Sequence, residues 1–297
     1  IPHRFLIERP LNFHALPREV RVTPNNTYKV GVQIHNKSSD TISGKVVWKT
    51  PEGVELNGTS EKISVPANET VQSYVEVRVE KPLATKEIVG ATFEFADTAL
   101  SSDMTLRPVE DENFGPLQPV DLSGLFNFDP VSFHSNRVDY SREMGMFVLP
   151  ADFLPFWGSA RSGGMTFELG DFSDGKENAV LPQGQTVDVP RDQYRRIHFL
   201  GFGHDGKHPG TWKARYADST ASNVNSEIPE WCVAPPEGTV EVFPSPYRYT
   251  PAGRSGPPCQ LWWWSVDVDP AKELEAIEFP RLKDAYIFSM TLEKSTP

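Results

Sequence analysis

The sequence predicts an all-β protein: an immunoglobulin-like sandwich followed by a larger jelly-roll β-sandwich. The 297 residues include 27 prolines and 21 glycines, which divide the chain into many short segments. In these segments apolar and polar residues alternate with a period of two, as they do in strands that bury one face. No long segment has a helical period, and the length is sufficient for two domains that each bury a core.

The first predicted domain covers residues 1–107. Apolar and polar positions alternate at 28–34, 42–48 and 71–79, and turns rich in proline, asparagine and glycine separate these stretches. About seven strands with a spacing of about 8–12 residues are typical of an immunoglobulin-like sandwich.

Four phrases of this domain lie at residues 22–27, 32–36, 50–54 and 65–70. In composition and order they resemble the NEW3-type domains. The resemblance implies an immunoglobulin-like unit of the kind that accompanies glycosidases and carbohydrate-binding modules in secreted polysaccharide-acting proteins. The phrases are turns, so they imply a fold and a context but no activity.

Residues 108–120 combine acidic residues with three prolines and are predicted to form a semi-rigid linker. The second predicted domain covers residues 121–297, and its centre at 171–218 is predicted to hold three or four short strands. Alternation is strict at 211–216 and again at 286–292. So many short strands over a stretch longer than an immunoglobulin domain favour a jelly roll.

Eight phrases of the second domain lie at residues 178–180, 184–186, 194–201, 210–212, 216–218, 264–270, 277–280 and 287–292. They look like the galactose-binding-like jelly rolls that are attached to many bacterial and fungal glycan-processing proteins. Such modules bind varied sugars, and some bind nothing. The resemblance therefore implies the fold more strongly than any ligand.

Composition excludes several classes of partner and reaction. The formal net charge of −11 argues against nucleic acid and against an anionic membrane surface, and no apolar run is long enough to span a bilayer. Phosphate-loop, dinucleotide and zinc-protease motifs are absent from the sequence, which argues against a nucleotide-dependent enzyme. The predicted partner is a polysaccharide or glycan, with a catalytic domain or a partner chain as a further alternative.

The two cysteines, Cys232 and Cys259, are separated by loop-like sequence. We expect a disulfide between them, with two separate thiols as the alternative, and a disulfide favours a secreted, extracellular protein. The chain starts at Ile1 without a signal peptide or initiator methionine, so we expect a trimmed mature chain or a piece of a larger protein.

Three consecutive tryptophans are the strongest candidates for ligand binding. In a strand, Trp262 and Trp264 share one face and Trp263 takes the other, so we expect at least one ring to lie outside the core or under a loop. An exposed indole offers a flat apolar surface on which a sugar ring can stack. Trp157 is a further candidate, and ordinary burial is the alternative for each ring.

Three basic side chains complete the predicted ligand site. Arg161, His204 and Lys207 are expected to hydrogen-bond sugar hydroxyls or an acidic substituent. The turn from 204 to 208 also has two histidines and an aspartate. A metal site there is the weaker alternative to a solvated turn.

Tyr194, Arg196 and His198 form the sharpest enzymatic pattern. At positions i, i+2 and i+4 of a strand they would share one face, and a polysaccharide lyase needs groups of this kind to neutralise a uronate, remove a proton and protonate the leaving oxygen. A solvent-facing strand is the alternative. The two carboxylates of a glycoside hydrolase cannot be chosen from the sequence, because spacing along the chain does not give their separation in space.

Asp171, Asp174, Glu177 and Asn178 form an acidic, turn-rich cluster. Oxygen ligands at close spacing suit a structural Ca²⁺, and an acidic solvated turn is the alternative. No cofactor is expected to be required.

The predicted function is carbohydrate recognition, by non-catalytic accessory domains of a secreted polysaccharide-acting system. The first alternative is a polysaccharide-cleaving enzyme, a lyase or a glycoside hydrolase, with its site on the jelly roll. The second is a structural spacer or assembly module, in which exposed tryptophans would contact another chain.

Overall fold

The structure is a computed structural model in which the chain divides into two units, Ile1–Val109 and Glu110–Pro297. It describes residues 10–58, 62–110, 114–133, 147–234 and 237–295. Among these residues strands dominate and there is no α-helix, so the predicted fold class, an all-β chain with an immunoglobulin-like sandwich followed by a larger β-sandwich, is confirmed. No described helix is long and apolar enough to cross a membrane.

The first unit is a sandwich of two sheets. Its described strands are β1 (Leu11–Leu16), β2 (Glu19–Val22), β3 (Asn26–Asn36), β4 (Ile42–Lys49), β5 (Val54–Asn57), β6 (Lys62–Val65), β7 (Thr70–Val79), β8 (Glu87–Phe95) and β9 (Thr98–Pro108). They pair in the orders β1-β3-β7-β5 and β2-β9-β8-β4-β6. Only the β2–β9 pair is parallel among these described strands, and two such facing sheets are typical of an immunoglobulin-like fold.

The predicted alternation places the core of the first unit. Tyr28, Val30 and Val32 on β3 face inward together with Val75 and Val77 on β7, and all five are buried. Because β3 and β7 are antiparallel neighbours, their inward side chains form one continuous apolar surface between the sheets.

The second unit has fourteen described strands and two short 3₁₀ turns, Ser123–Leu125 and Ala151–Phe153. The strands are β10 (Leu117–Val120), β11 (Val131–Ser132), β12 (Leu149–Pro150), β13 (Ser159–Ser162), β14 (Met165–Glu168), β15 (Thr186–Gly203), β16 (His208–Tyr216), β17 (Ala221–Ile228), β18 (Val240–Ser245), β19 (Arg248–Thr250), β20 (Gly253–Ser255), β21 (Cys259–Asp267), β22 (Glu273–Glu278) and β23 (Ala285–Lys294).

Strand β15 belongs to both halves of this unit. Its first half pairs with β22 and its second half pairs with β23 on one side and β21 on the other. The ladder is interrupted between Asp188 and Asp192, around Pro190, which has no N–H to donate. The sequence predicts three or four short strands over 171–218, whereas the structure joins two of them into β15, because a strand continues through such an irregularity.

The core of the second unit lies between the two parts of its sheet. Phe199 on β15 stacks on Trp212 of β16 at a centroid distance of 4.3 Å. The same ring lies 5.5 Å from that of Trp264 on β21. These rings join β15, β16 and β21 into one apolar core.

Part of the stretch predicted as a linker, residues 108–120, is a strand of the second unit. Leu117–Val120 forms β10 and pairs with β23. Proline is tolerated here because β10 is an edge strand of the described sheet, where a missing N–H breaks no ladder on the open side.

Replacing Phe199 with alanine is expected to lower the free energy of unfolding by about 3–5 kcal/mol, because it leaves a cavity between Trp212 and Trp264. Urea unfolding followed by tryptophan fluorescence measures the loss. The exposed Asn223→Ala is the control and should change stability by less than about 0.5 kcal/mol. Equal effects of the two substitutions would contradict this description of the core.

Candidate functional site

The tryptophans 262–264 alternate between the two faces of β21, as predicted, but all three are buried, at 0%, 5% and 5% exposure. Trp264 faces the core beside Phe199. Trp263, on the other face, lies beneath Phe114 and Phe167, whose rings are 5.8 and 6.0 Å away. Stacking on a sugar requires an open ring face, so the predicted stacking role of these three residues does not fit their burial.

The other predicted ligand residues are dispersed. Trp157 and Arg161 are half-buried at β13. His204 is buried, with its ring 5.6 Å from that of Trp231, and burial lowers the pKa of its imidazole. Lys207 is exposed and its Nζ lies 2.9 Å from Glu227 Oε2.

The predicted lyase trio does not share a face. The register between β15 and β23 shifts between Tyr194 and Arg196, and this bulge turns Tyr194 to the side of the sheet opposite Arg196 and His198. Tyr194 is buried, donates its O–H to the carbonyl of Pro190 at 2.8 Å, and has a pKa raised by burial. The prediction that these three side chains face a substrate together is therefore wrong.

His198 instead belongs to a closed cluster around Glu293. The indole N–H of Trp263 donates to His198 Nδ1 at 3.1 Å, so the imidazole proton lies on Nε2, which donates to Glu293 Oε2 at 3.1 Å. Glu293 also accepts hydrogen bonds from the Arg195 guanidinium and from the Gly115 N–H at 2.9 Å. The cluster connects β15, β21, β23 and the segment before β10.

Burial and hydrogen bonding within the cluster determine the protonation states of His198 and Glu293. Burial lowers the pKa of His198 to about 4, so the imidazole is neutral at pH 7. Burial would raise the pKa of Glu293, but hydrogen bonds from Arg195, Gly115 and His198 outweigh burial and lower it. The internal partners of this carboxylate offset the cost of its burial, and with its hydrogen bonds used inside the protein it offers no group to a substrate.

The predicted calcium ligands do not converge. Asp171 Oδ1 accepts two hydrogen bonds from Ser173, and Asn178 is buried with its amide donating to Asp129 at 2.8 Å. The described residues include no group of three or more His, Cys, Asp or Glu side chains that could hold a metal ion. Local turn bonds therefore account for the acidic pattern better than Ca²⁺ does.

The predicted disulfide between Cys232 and Cys259 is formed. It fastens the segment after β17 to the start of β21. Two hydrogen bonds add to this fastening, from Gln260 Nε2 to the Val233 carbonyl at 3.0 Å and from Trp262 Nε1 to the Glu230 carbonyl at 2.8 Å. The segment is thus held against β21 on both sides of Cys232.

An open cleft of about 580 Å³ lies beside this fastened segment. Strand β18 pairs with β21 only as far as Trp263, so residues 264–266 of β21 border the cleft, opposite residues 225–227 of β17. The cleft is lined by polar and charged side chains, by one indole and by smaller apolar residues: Lys207, Asn225, Ser226, Glu227, Glu230, Glu237, Thr239, Trp264, Pro229, Val233 and Val266. Of the predicted ligand residues, the structure brings Lys207 and Trp264 together here.

Trp264, which lines the cleft, carries an unused hydrogen-bond donor. The indole N–H of Trp264 is buried and has no acceptor in the part of the chain that the structure describes. A buried donor without an acceptor costs about 1–3 kcal/mol.

Sequence reasoning missed the polar residues of β17. Asn223, Asn225 and Glu227 are exposed at alternate positions, which is the signal of a strand with one polar face. That signal does not show which of them border a cleft, because the opposite wall comes from β21, about forty residues later in the chain.

Comparison with known proteins gives one family match. Residues 116–235 match the model of the AziU2-like beta-sandwich domain. This region resembles that domain. It lies in the second unit and is less than half of the chain, and no curated protein matches.

Three similar solved structures give only distant likenesses. A FixG-related protein from Vibrio parahaemolyticus is 10% identical over 34% of this chain and 98% of that chain, with a TM-score of 0.28. Native E. coli alpha-2-macroglobulin is 11% identical over 66% of this chain and 9% of that chain, with a TM-score of 0.31. The PapD-like domain 7 of human CEP192 is 7% identical over 37% of this chain and all of that chain (100%), with a TM-score of 0.24.

The His198–Glu293 arrangement predicts a specific pH dependence of stability. Because the pKa of His198 is about 4 when folded and about 6.5 when unfolded, the unfolded chain binds more protons in between. The contribution of neutral His198 to the free energy of unfolding is complete above pH 6.5. It is lost as the pH falls towards 4, by up to about 3 kcal/mol. The lowered pKa of Glu293 acts in the same direction at still lower pH.

Urea unfolding at several pH values between 7 and 4 tests this. His198→Gln should flatten the fall in stability, whereas the exposed Asn223→Ala, which removes no titratable group, should leave it unchanged. An equally steep fall in the His198→Gln protein would show that His198 is not the group responsible.

Removal of the disulfide is expected to destabilise the second unit. The double substitution Cys232→Ser and Cys259→Ser releases a loop whose closure contributes about 3 kcal/mol, and should lower the melting temperature in calorimetry. The reduced wild-type protein should melt at the same temperature as the double variant. An unchanged melting temperature would mean that other contacts hold the loop.

Proposed function

We propose that this protein recognises carbohydrate through the cleft between β17 and β21, as non-catalytic domains of a secreted polysaccharide-acting system. The observation that carries the proposal is the composition of the cleft: the side chains of Asn225, Glu227 and Glu237 line it together with apolar residues, of which Val233 is exposed. An apolar surface next to convergent hydrogen-bonding groups is what a sugar ring requires.

Hydrogen-bonding capacity matches a hydroxyl-rich ligand. Carboxylates accept bonds from sugar hydroxyls, amides both donate and accept, and the Lys207 ammonium donates. The Lys207–Glu227 ion pair is exposed to solvent and is therefore weak, so both partners can turn to a ligand at little cost. The volume of about 580 Å³ falls within the range of small-ligand sites.

Rigidity of the walls favours binding. Trp264 is held by core packing against Phe199, β17 is paired along its length with β16, and the Cys232–Cys259 disulfide holds the segment between them. A cleft that is already formed loses little conformational entropy when a ligand enters.

Secretion is part of the proposal because a disulfide such as Cys232–Cys259 persists in oxidising compartments. The net charge of −11 is compatible with a neutral glycan partner and disfavours nucleic acid. A catalytic domain or partner chain that works on the same polysaccharide would complete the system.

We favour binding over cleavage because two of the three predicted lyase residues are buried and bonded within the protein. His198 and Tyr194 are buried and use their polar atoms within the protein. Hydrolysis by carboxylates of the cleft is the remaining enzymatic alternative, and it predicts a different product in the same experiment.

The first test is to incubate the whole chain with a panel of polysaccharides and to measure retention and new chain ends in the same samples. Retention on one glycan without new ends supports the proposal. New saturated ends would indicate a hydrolase, and unsaturated uronate ends a lyase. Neither retention nor product would point to a spacer or assembly module.

A matched pair of substitutions locates the binding site. Asn225→Ala should weaken binding of the retained glycan about tenfold, equivalent to about 1.4 kcal/mol. Asn223→Ala, two residues away on the same exposed face of β17, should bind as the wild type does. Isothermal titration calorimetry measures both, and equal affinities would exclude this cleft.

A further inference from the structure

A second surface with binding chemistry lies on the first unit, at Tyr74. Among the residues that the structure describes, Tyr74 is the aromatic side chain that is exposed, at 51%. Its cross-strand neighbour on β3 is Gly31, which has no side chain to cover the ring. Lys29 Nζ lies 5.1 Å from the ring centre.

Strand pairing leaves an opening beside this ring. On β7, only Glu76–Val79 pair with β5, so within the described chain no strand lies beside residues 70–75 on that side. The opening is a cleft of about 560 Å³ that runs between this part of β7 and strand β6. Tyr74, Gln72, Ser64 and Lys62 are among the residues that line it.

The charge of this cleft differs from that of the protein as a whole. Lys62 lies directly opposite Lys45 on β4, and like charges in that position destabilise a sheet. In the described part of the chain neither lysine has a carboxylate within ion-pair distance. Glu94 is the cross-strand neighbour of Lys45 on the other side, so two ammonium groups face one carboxylate.

The cations nearest the ring have different surroundings. Lys29 lies opposite Glu76 across the β3–β7 pair and is not among the residues that line the cleft. Lys62 lines the Tyr74 cleft and also a smaller cleft of about 390 Å³ beside Glu94. Lys62 is therefore the cation that a ligand in the cleft would meet.

We propose that the cleft between β6 and β7 binds an acidic sugar residue, with its ring on Tyr74 and its carboxylate near Lys62. This site is separate from the cleft of the second unit and goes beyond the function proposed above. An exposed aromatic ring supplies the stacking surface, Ser64 and Gln72 supply hydrogen-bonding groups, and the anion relieves the repulsion between Lys62 and Lys45.

The test uses the whole ¹⁵N-labelled chain and two trisaccharides that differ in charge: a trimer of galacturonic acid and a galactose trimer of the same linkage. The acidic trimer should shift backbone amide signals of β6 and of residues 70–75, and should bind at least about tenfold more tightly than the neutral trimer. Added salt should reduce this difference.

Variants separate stacking from charge. Tyr74→Ala should weaken binding of the acidic trimer about tenfold and Tyr74→Phe should preserve it, because the phenyl ring keeps the stacking surface. Lys62→Gln should remove the preference for the acidic trimer. Lys81→Gln, beyond the far end of β7, is the matched control and should leave it unchanged. All three side chains are exposed, so the fold should persist.

Three outcomes would overturn the proposal: no amide shifts in β6 and β7, binding that survives Tyr74→Ala, or self-association through this edge in sedimentation. Lysines on an edge strand such as β6 also hinder aggregation, and the first outcome would assign Lys62 to that role. Asn225→Ala should not change the affinity for the acidic trimer. The proposal for this site and the proposal for the cleft of the second unit are therefore tested independently.

Discussion

The second unit depends on one strand that belongs to two parts of a sheet. The first half of β15 pairs with β22 and the second half with β21 and β23. Phe199 on this strand packs on both Trp212 and Trp264, so the strand also joins the two sides of the core. The position of β21, and with it one wall of the cleft, follows from this single element.

The buried carboxylate of Glu293 lies on the other face of the same sheet. Glu293 receives hydrogen bonds from Arg195, His198 and Gly115, which compensates the cost of removing its charge from water. The perturbed pKa values of such a cluster resemble those of an active site. Here they result from burial and complete internal pairing, because the groups that would react are already bonded to one another.

The two proposed binding surfaces differ in charge. Three glutamates and one lysine line the cleft of the second unit, whereas Lys62, without an ion pair in the described chain, lines the cleft of the first. A chain that binds a neutral sugar at one surface and an acidic sugar at the other would discriminate between polysaccharides by composition, since two linked sites gain affinity only when both are occupied.

The sequence by itself determined the all-β class, the alternation of Trp262, Trp263 and Trp264 between two faces, and the pairing of Cys232 with Cys259. These follow from local periodicity and from the small number of cysteines. Only the tertiary structure decided which faces are open. Phe114 and Phe167 cover Trp263 from distant parts of the chain, and a bulge turns Tyr194 away from His198. Alternation along a strand shows which side chains share a face. Which residues cover that face depends on strands that are far away in the sequence.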